Sequence, residues 1–188
     1  PQLAVIATAA GVVVLQGQKI ASSTPLACQP LSVALAADDS AVFVGGKDHK
    51  IYTFKLAGGA LTADKTLAGH AGEVTALHTS ADGKHLVSAD SNRDIYVWSI
   101  ASASIVVRGW QFHTARISSV CFNDHDNDHI VSSGVDGIVI VWSLAKPKER
   151  VLIPRAHVQG CSTALWMDAT TVASAGQDCA VKSWTIKF

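Results

Sequence analysis

The sequence is poor in charge. Only 16% of its 188 residues are Asp, Glu, Lys or Arg, and 15 bases balance 15 acids for a formal net charge of zero. A chain with no excess of positive charge is not built to coat DNA or RNA or to lie on an anionic membrane. Long apolar runs are missing too. The longest, LAVIATAAGVVVL from Leu3 to Leu15, is interrupted by Gly11 and falls short of the roughly 20 residues a helix needs to cross a bilayer. The chain opens on Pro1-Gln2-Leu3, without the basic stretch of a secretory signal. The missing initiator methionine leads us to expect a chain that begins inside a larger protein. Cysteine is sparse, and Cys28, Cys121, Cys161 and Cys179 show no C-x-x-C spacing. That pattern fits free, buried or half-buried thiols in a reducing compartment and argues against a structural zinc site. Gly45-Gly46 and Gly58-Gly59 lack the G-x-x-x-x-G-K pattern of a phosphate loop, so no nucleotide or other cofactor is expected. Hydrophobic residues make up 48% of the chain, enough to bury a core, and protein surfaces or small molecules remain as partners.

An internal repeat organises what is present. LVSADSNRDIYVWSI (residues 86–100), IVSSGVDGIVIVWSL (130–144) and VASAGQDCAVKSWTI (172–186) superpose without a gap, and Trp98, Trp142 and Trp184 follow one another at 44 and 42 residues. One period earlier, VFVGGKDHKIYTFKL (42–56) puts Phe54 in the place of the Trp. Earlier still, AVIATAAGVVVLQ fits poorly, with Gln16 in the aromatic position. Each unit reads as strands: short Val- and Ile-rich runs lie between turns such as Asp82-Gly83 and Asp136-Gly137, with no apolar stripe of helical period. Four such runs fit one period, for example Ile117 to Phe122, Ile130 to Ser133, Ile138 to Ser143 and Arg150 to Ile153. Four antiparallel strands in about 40 to 45 residues make the blade of a β-propeller.

The expected fold is therefore all-β, an arc of four to five blades from a seven-bladed ring, because 188 residues hold roughly 4.4 units of about 43. The units are expected at residues 1–27 (degenerate), 28–67, 68–110, 111–154 and 155–188. The first edge of such an arc would leave strand groups unpaired. Missing blades, an associated fragment or a second copy would have to cover it.

These residues resemble the WD-repeat family. Gly69-His70 matches the family's Gly-His opening, Phe112-His113 and Ala156-His157 are degenerate versions, and a Trp closes each of the last three units. The resemblance implies a hydrogen-bonded structural tetrad in each: His70, Ser88, Asn92 and Trp98, with Asn92 in the usual Asp place; His113, Ser132, Asp136 and Trp142; and His157, Ser174, Asp178 and Trp184. In the second unit Val44 replaces the Ser and no His precedes the first strand. Ser, His and Asp together also invite a hydrolase reading. A catalytic triad, however, is a single constellation beside an oxyanion hole, whereas this set recurs at fixed spacing. Repetition argues for structure, and no catalytic residue is assigned.

The tract Asn123-Asp124-His125-Asp126-Asn127-Asp128-His129 alternates carboxylates like a calcium loop. It has His129 where that loop needs Gly and Val135 where it needs Glu, so it reads as a long turn between the first two strands, and no metal is expected.

Propellers bind partners through the loops of one face, with aromatic and Arg side chains as common anchors. Arg108-Gly109-Trp110-Gln111-Phe112-His113-Thr114-Ala115-Arg116 is the densest such cluster. It makes Trp110 and Arg116 candidate partner-binding residues, against the alternative that Trp110 and Phe112 pack beneath the outer strand. Resemblance to WD repeats adds Glu73, Ser91 and Gln177 on the same face. The segments WQFHTARI, RAH at residues 155–157, SAGQD and VKSWTIKF resemble the last blades of the actin-interacting protein one family. That resemblance implies a non-enzymatic cytoplasmic and cytoskeletal scaffold of two seven-bladed propellers, acting with cofilin (actin-depolymerising factor) to disassemble actin filaments. A generic WD adaptor that docks peptides or complex subunits is the alternative.

Overall fold

Runs such as Val139-Ile140-Val141-Trp142 are apolar at every position, the pattern of a strand covered on both faces. The computed structural model describes residues 3–187 and provides that cover by stacking sheet upon sheet; Pro1, Gln2 and Phe188, at the ends of the expected outer units, lie outside the described residues. Sheet 1 contains β1 (Leu3–Thr8), β2 (Gly11–Gln16) and β3 (Lys19–Pro25). Sheet 2 contains β4 (Pro30–Leu35), β5 (Ala41–Gly46), β6 (Lys50–Ala57) and β7 (Ala60–Ala68). In sheet 3 are β8 (Val74–Thr79), β9 (His85–Asp90), β10 (Ile95–Ser99) and β11 (Ser104–Trp110). Sheet 4 has β12 (Ile117–Phe122), β13 (His129–Gly134), β14 (Val139–Ser143) and β15 (Arg150–Ile153). Sheet 5 has β16 (Cys161–Trp166), β17 (Thr171–Gly176) and β18 (Val181–Thr185). Every sheet is an antiparallel meander with its strands in chain order. The all-β propeller architecture expected from the repeat is the observed one: among the described residues, five antiparallel sheets of three or four strands in an unclosed arc.

Alternation along each strand decides which neighbour a side chain meets. In sheet 4, Ile130, Ile140 and Trp142 point back onto Val87, Ile95 and Val97 of sheet 3. Val131, Val139 and Val141 point forward onto Ala164 and Val172 of sheet 5. The first strands β4, β8, β12 and β16 lie side by side, and hydroxyls tie them together. Ser32 donates to the Val74 carbonyl (3.0 Å), Thr75 to that of Ile117 (2.8 Å) and Ser118 to that of Cys161 (2.6 Å).

Sheet 1 corrects the expected alignment. Only Ala9 and Ala10 separate the paired residues Thr8 and Gly11, whereas Val135, Asp136 and Gly137 separate Gly134 from Ile138, whose carbonyl accepts the Gly134 N–H (3.3 Å). The shorter turn moves the register by one residue. Leu15 pairs with Ala4 on the face turned away from sheet 2, as Trp142 pairs with Ile130 on the face turned away from sheet 5. Gln16, two residues beyond Val14, shares the face on which Val12 and Val14 meet sheet 2, so Leu15 and not Gln16 holds the aromatic place. By the same register β1 to β3 are the second to fourth strands of a blade, and β16 to β18 are the first to third.

The acidic tract is one of four equivalent turns. Asp38, Asp82, Asp126 and Asp168 each accept, through Oδ1, the backbone N–H two residues on, from Ser40 (3.0 Å), Lys84 (3.1 Å), Asp128 (2.9 Å) and Thr170 (2.8 Å). This Asx geometry is why Asp suits each turn between first and second strands. All four cysteines are free, but Cys179 is exposed, contrary to the expectation that the thiols are covered; it sits at φ 57° in a tight turn that turns its side chain outwards.

Candidate functional site

In sheets 4 and 5 each tetrad is built by four segments: the loop before the first strand, the second strand, the turn after it and the third strand. In sheet 4, His113 Nδ1 lies 3.0 Å from Asp136, its Nε2 lies 2.8 Å from the Ser132 hydroxyl, and the Trp142 indole N–H donates to that hydroxyl at 2.8 Å. Sheet 5 repeats this with His157, Asp178 (2.7 Å), Ser174 (2.8 Å) and Trp184 (2.8 Å). Each Ser therefore accepts from Trp and donates to His, and its polar neighbours are satisfied away from water. The serines are buried beneath the Trp, closed to any substrate. Burial works against ionisation of Asp136, but hydrogen bonds from His113 and from backbone N–H groups outweigh it and hold the carboxyl below its ordinary value. The His157 hydrogen bond is the main cause of the strong lowering at Asp178, where Lys182 adds a contact at 3.2 Å and also donates to the Ala156 carbonyl.

Sheet 3 departs from the expected tetrad. His70 and Trp98 both meet the Ser88 hydroxyl (2.6 and 2.8 Å), but the carboxylate at His70 Nδ1 is that of Asp90, at 3.0 Å, and not the side chain of Asn92. Asn92 is exposed and contributes its backbone N–H to Asp90 (2.9 Å). Space explains the exchange. Asp90 stands where the other blades have Gly134 and Gly176, and a Cβ on Gly134 would come 2.8 Å from both Asp136 Oδ1 and His113 Nδ1. With Asn at 92 the turn supplies no carboxylate, so a side chain from the strand end can fill the same place. Asp90, fully buried, also accepts from the Gly72 and Asp94 N–H groups (3.2 and 2.9 Å). In sheet 2, where Val44 and Phe54 replace Ser and Trp, Asp48 instead accepts from the Tyr52 hydroxyl at 2.6 Å.

Above the tetrads, the loops before the first strands and those joining second to third strands form one surface, held by a repeated backbone hydrogen bond. Lys47 N–H donates to Gln29 O (2.9 Å), Ser91 to Glu73 (2.9 Å), Val135 to Arg116 (2.9 Å) and Gln177 to Gly160 (3.0 Å). Glu73 and Arg116 are thus equivalent acceptors before a first strand, Ser91 and Gln177 are equivalent donors in the turn after a second strand, and Arg116 and Gln177 are exposed. Trp110 does not join them. It is 3% exposed, stacks on Trp142 with ring centroids 4.8 Å apart and donates its indole N–H to the Pro147 carbonyl at 2.9 Å. It is a packing residue between sheets 3 and 4, because β11 runs along the outer edge and turns its last residue inward. Phe112 is 46% exposed, with Arg150 over its ring at 3.3 Å.

Comparison with known proteins agrees with this geometry. The family model described as "WD domain, G-beta repeat" matches residues 62–99 and 105–143. This is a chain of WD40 repeats. It is 47% identical over 185 residues to the "66 kDa stress protein" of Physarum polycephalum, covering 98% of this chain and 31% of that protein. It is 36% identical to "Actin-interacting protein 1" of Drosophila melanogaster (92% of this chain, 28% of that one) and 32% identical to the protein of the same name from Caenorhabditis elegans (89% and 28%). The chain thus spans under a third of the length of these relatives. Among solved structures, the WD40 repeats of RRP9 superpose with a TM-score of 0.77 at 23% identity, over 87% of this chain and 50% of that one, a likeness of fold alone. The WD40 tetrads join the loop before the first strand to the second and third strands within each of sheets 3, 4 and 5.

Proposed function

We propose that this WD40 chain is a non-enzymatic docking scaffold of the cytoplasm and cytoskeleton that binds actin filaments together with cofilin/ADF and promotes their disassembly. The observation that carries the reading is the similarity, over 92% of the chain, to a protein named for interaction with actin. Two further features support it. The Ser-His-Asp sets are repeated and buried, as struts are, and the upper surface offers Glu73, Ser91, Arg116 and Gln177 for contact with a protein partner. Trp110 is withdrawn from the binding set because it is buried. Co-sedimentation of the intact protein with filamentous actin, with and without cofilin, tests the proposal. Pelleting that increases with cofilin, accompanied by faster filament loss, is expected, and absence of both would overturn it. A WD40 adaptor for another complex is the second reading, favoured by the 47% identical relative whose name carries no mention of actin; it predicts no pelleting under either condition.

A further inference from the structure

One space recurs between neighbouring sheets and is filled differently each time. It lies over the third and fourth strands of one sheet, beside the stretch that follows the third strand of the next. The fourth-strand residue paired with Ile51, Ile95 or Val139 differs from sheet to sheet: it is Leu67 in sheet 2, Trp110 in sheet 3 and Ile153 in sheet 4. Between sheets 3 and 4 the Trp110 ring closes the space. It joins Val97 and Val107 of its own sheet in one cluster with Trp142 and Leu144, stacks on Trp142 and reaches the Pro147 carbonyl. Between sheets 2 and 3, Leu67 leaves a cavity of about 50 Å³. Between sheets 4 and 5 the cavity is about 280 Å³. It is lined by Val141 and Val151, whose pairing repeats that of Val97 with Val107, and by Lys187 just past β18. Val151 is half-buried where Val107 is buried, and Trp184 is half-buried where Trp142 is buried. An isoleucine in the place of a tryptophan accounts for the open space.

The rim of this cavity is charged, and its acids are already engaged. Glu149 is paired with Lys146 at 3.2 Å. Asp128 accepts the Ser143 hydroxyl at 2.9 Å and the Ala145 N–H at 2.6 Å. Arg150 is turned the other way, onto the Phe112 ring beside Trp142. Lys187 also lines the cavity; it is exposed and, among the described residues, has no carboxylate within ion-pair distance. Aliphatic walls with room for a ring, and one unbalanced ammonium at the rim, suit a planar aromatic anion.

We propose that the cavity between sheets 4 and 5 is a binding site for a small aromatic carboxylate of the size of an indole acid. The ring lies over Val141 and Val151, in the place that Trp110 takes between sheets 3 and 4, and the carboxylate meets Lys187. The site borders Asp128 and Lys146, in turns opposite the upper loops, and is independent of the actin reading.

Indole-3-acetate, indole and tryptamine share one ring and differ in the charge attached to it. Titrated into the intact protein and followed by the methyl resonances of Val141 and Val151, they should bind with affinities falling in that order. Ile153→Trp supplies the ring from the chain itself. It should abolish saturable binding of all three and raise the melting temperature, as filling a cavity does. Lys187→Glu should reverse the order of indole-3-acetate and tryptamine, each changing about fivefold, the scale of an exposed ion pair, with the melting temperature unchanged. No saturable binding of indole-3-acetate by the parent would overturn the site, as would binding that survives Ile153→Trp. If Ile153→Trp does not fold, the parent titration and Lys187→Glu decide: tryptamine binding the parent as tightly as indole-3-acetate, or an order that Lys187→Glu leaves unchanged, overturns the proposal. Actin co-sedimentation is scored separately. Failure of actin to pellet leaves this site standing, and absence of indole-3-acetate binding leaves the actin reading standing.

Discussion

Asp90 shows how one residue type can be legible while its role is hidden. Alignment of the three Trp-ended segments puts Asn92 opposite Asp136 and Asp178, and nothing in the residue pattern shows that a carboxylate two places earlier folds back to do the work. The clue was present in the other column, where Gly134 and Gly176 leave a space that Asp90 fills. Asp90→Asn should cost about 2 kcal/mol or more in urea unfolding, because one amide oxygen cannot replace two carboxylate oxygens that together accept from His70 and three backbone N–H groups. The double change Asp90→Gly with Asn92→Asp should recover most of that loss by restoring the arrangement of sheets 4 and 5; no recovery would show that the two sites are not equivalent. The pH dependence has a definite sign. Burial opposes ionisation of Asp90, but the His70 and backbone hydrogen bonds outweigh it and lower the pKa from 3.8. Its contribution is therefore complete above the ordinary carboxylate value and is lost as pH falls through the lower folded one. Urea midpoints measured from pH 7 down to pH 2 should fall steeply below about pH 4, and less steeply in Asp90→Asn.

Strands and turns were the readable level. The four runs of the sheet 4 unit match β12 to β15 to within one residue at each end, because Val- and Ile-rich stretches bounded by Asp-Gly turns leave little choice. Contacts between sheets were less legible, since sequence spacing does not say which face of an edge strand is covered. Trp110 is the example: the residue types around it mark an exposed anchor, yet the end of β11 carries it under Trp142. Trp110→Ala should lower stability by about 3–5 kcal/mol, as for other buried aromatics, whereas Phe112→Ala, at an exposed site, should cost far less. A denaturation series that ranked the two in the opposite order would contradict this packing. His78 makes a different link between the same sheets, accepting the Phe122 N–H at 3.3 Å with Cys121 Sγ 3.7 Å away. Burial lowers its pKa from 6.5, against the opposing influence of Asp124. The unfolded chain then binds the proton more tightly, so stability should decline as pH falls below about 6.5 towards the folded value. His78→Gln, which keeps an acceptor and cannot titrate, should flatten the unfolding free energy between pH 7 and pH 5.

At the scale of the whole chain, zero net charge conceals a division between faces. Asp38, Asp39, Asp82, Asp124, Asp126, Asp128 and Asp168 lie in the lower turns, while the acids of the upper loops are absorbed by partners and leave Arg93, Arg116 and Arg155 exposed there. The repeat made the stacking of blades readable, but how the arc terminates became visible only from the one-residue register change in sheet 1. Sheets 2, 3 and 4 are covered on both faces; sheets 1 and 5 each pack on one neighbour. The outward face of sheet 5 accordingly presents Leu165 at 46% and Val181 at 78% exposure, and β18 has backbone groups open along its free edge. Apolar surface beside an unpaired strand edge favours association. The 188-residue chain should therefore show a weight-average sedimentation coefficient that rises with concentration. Placing a charge on that face with Val181→Lys should suppress the rise while changing the unfolding free energy by no more than about 0.5 kcal/mol, the usual range for a surface substitution. Equal association of parent and variant would locate the contact on another face, with the outer surface of sheet 1, where Ile6 is exposed, next to be tested.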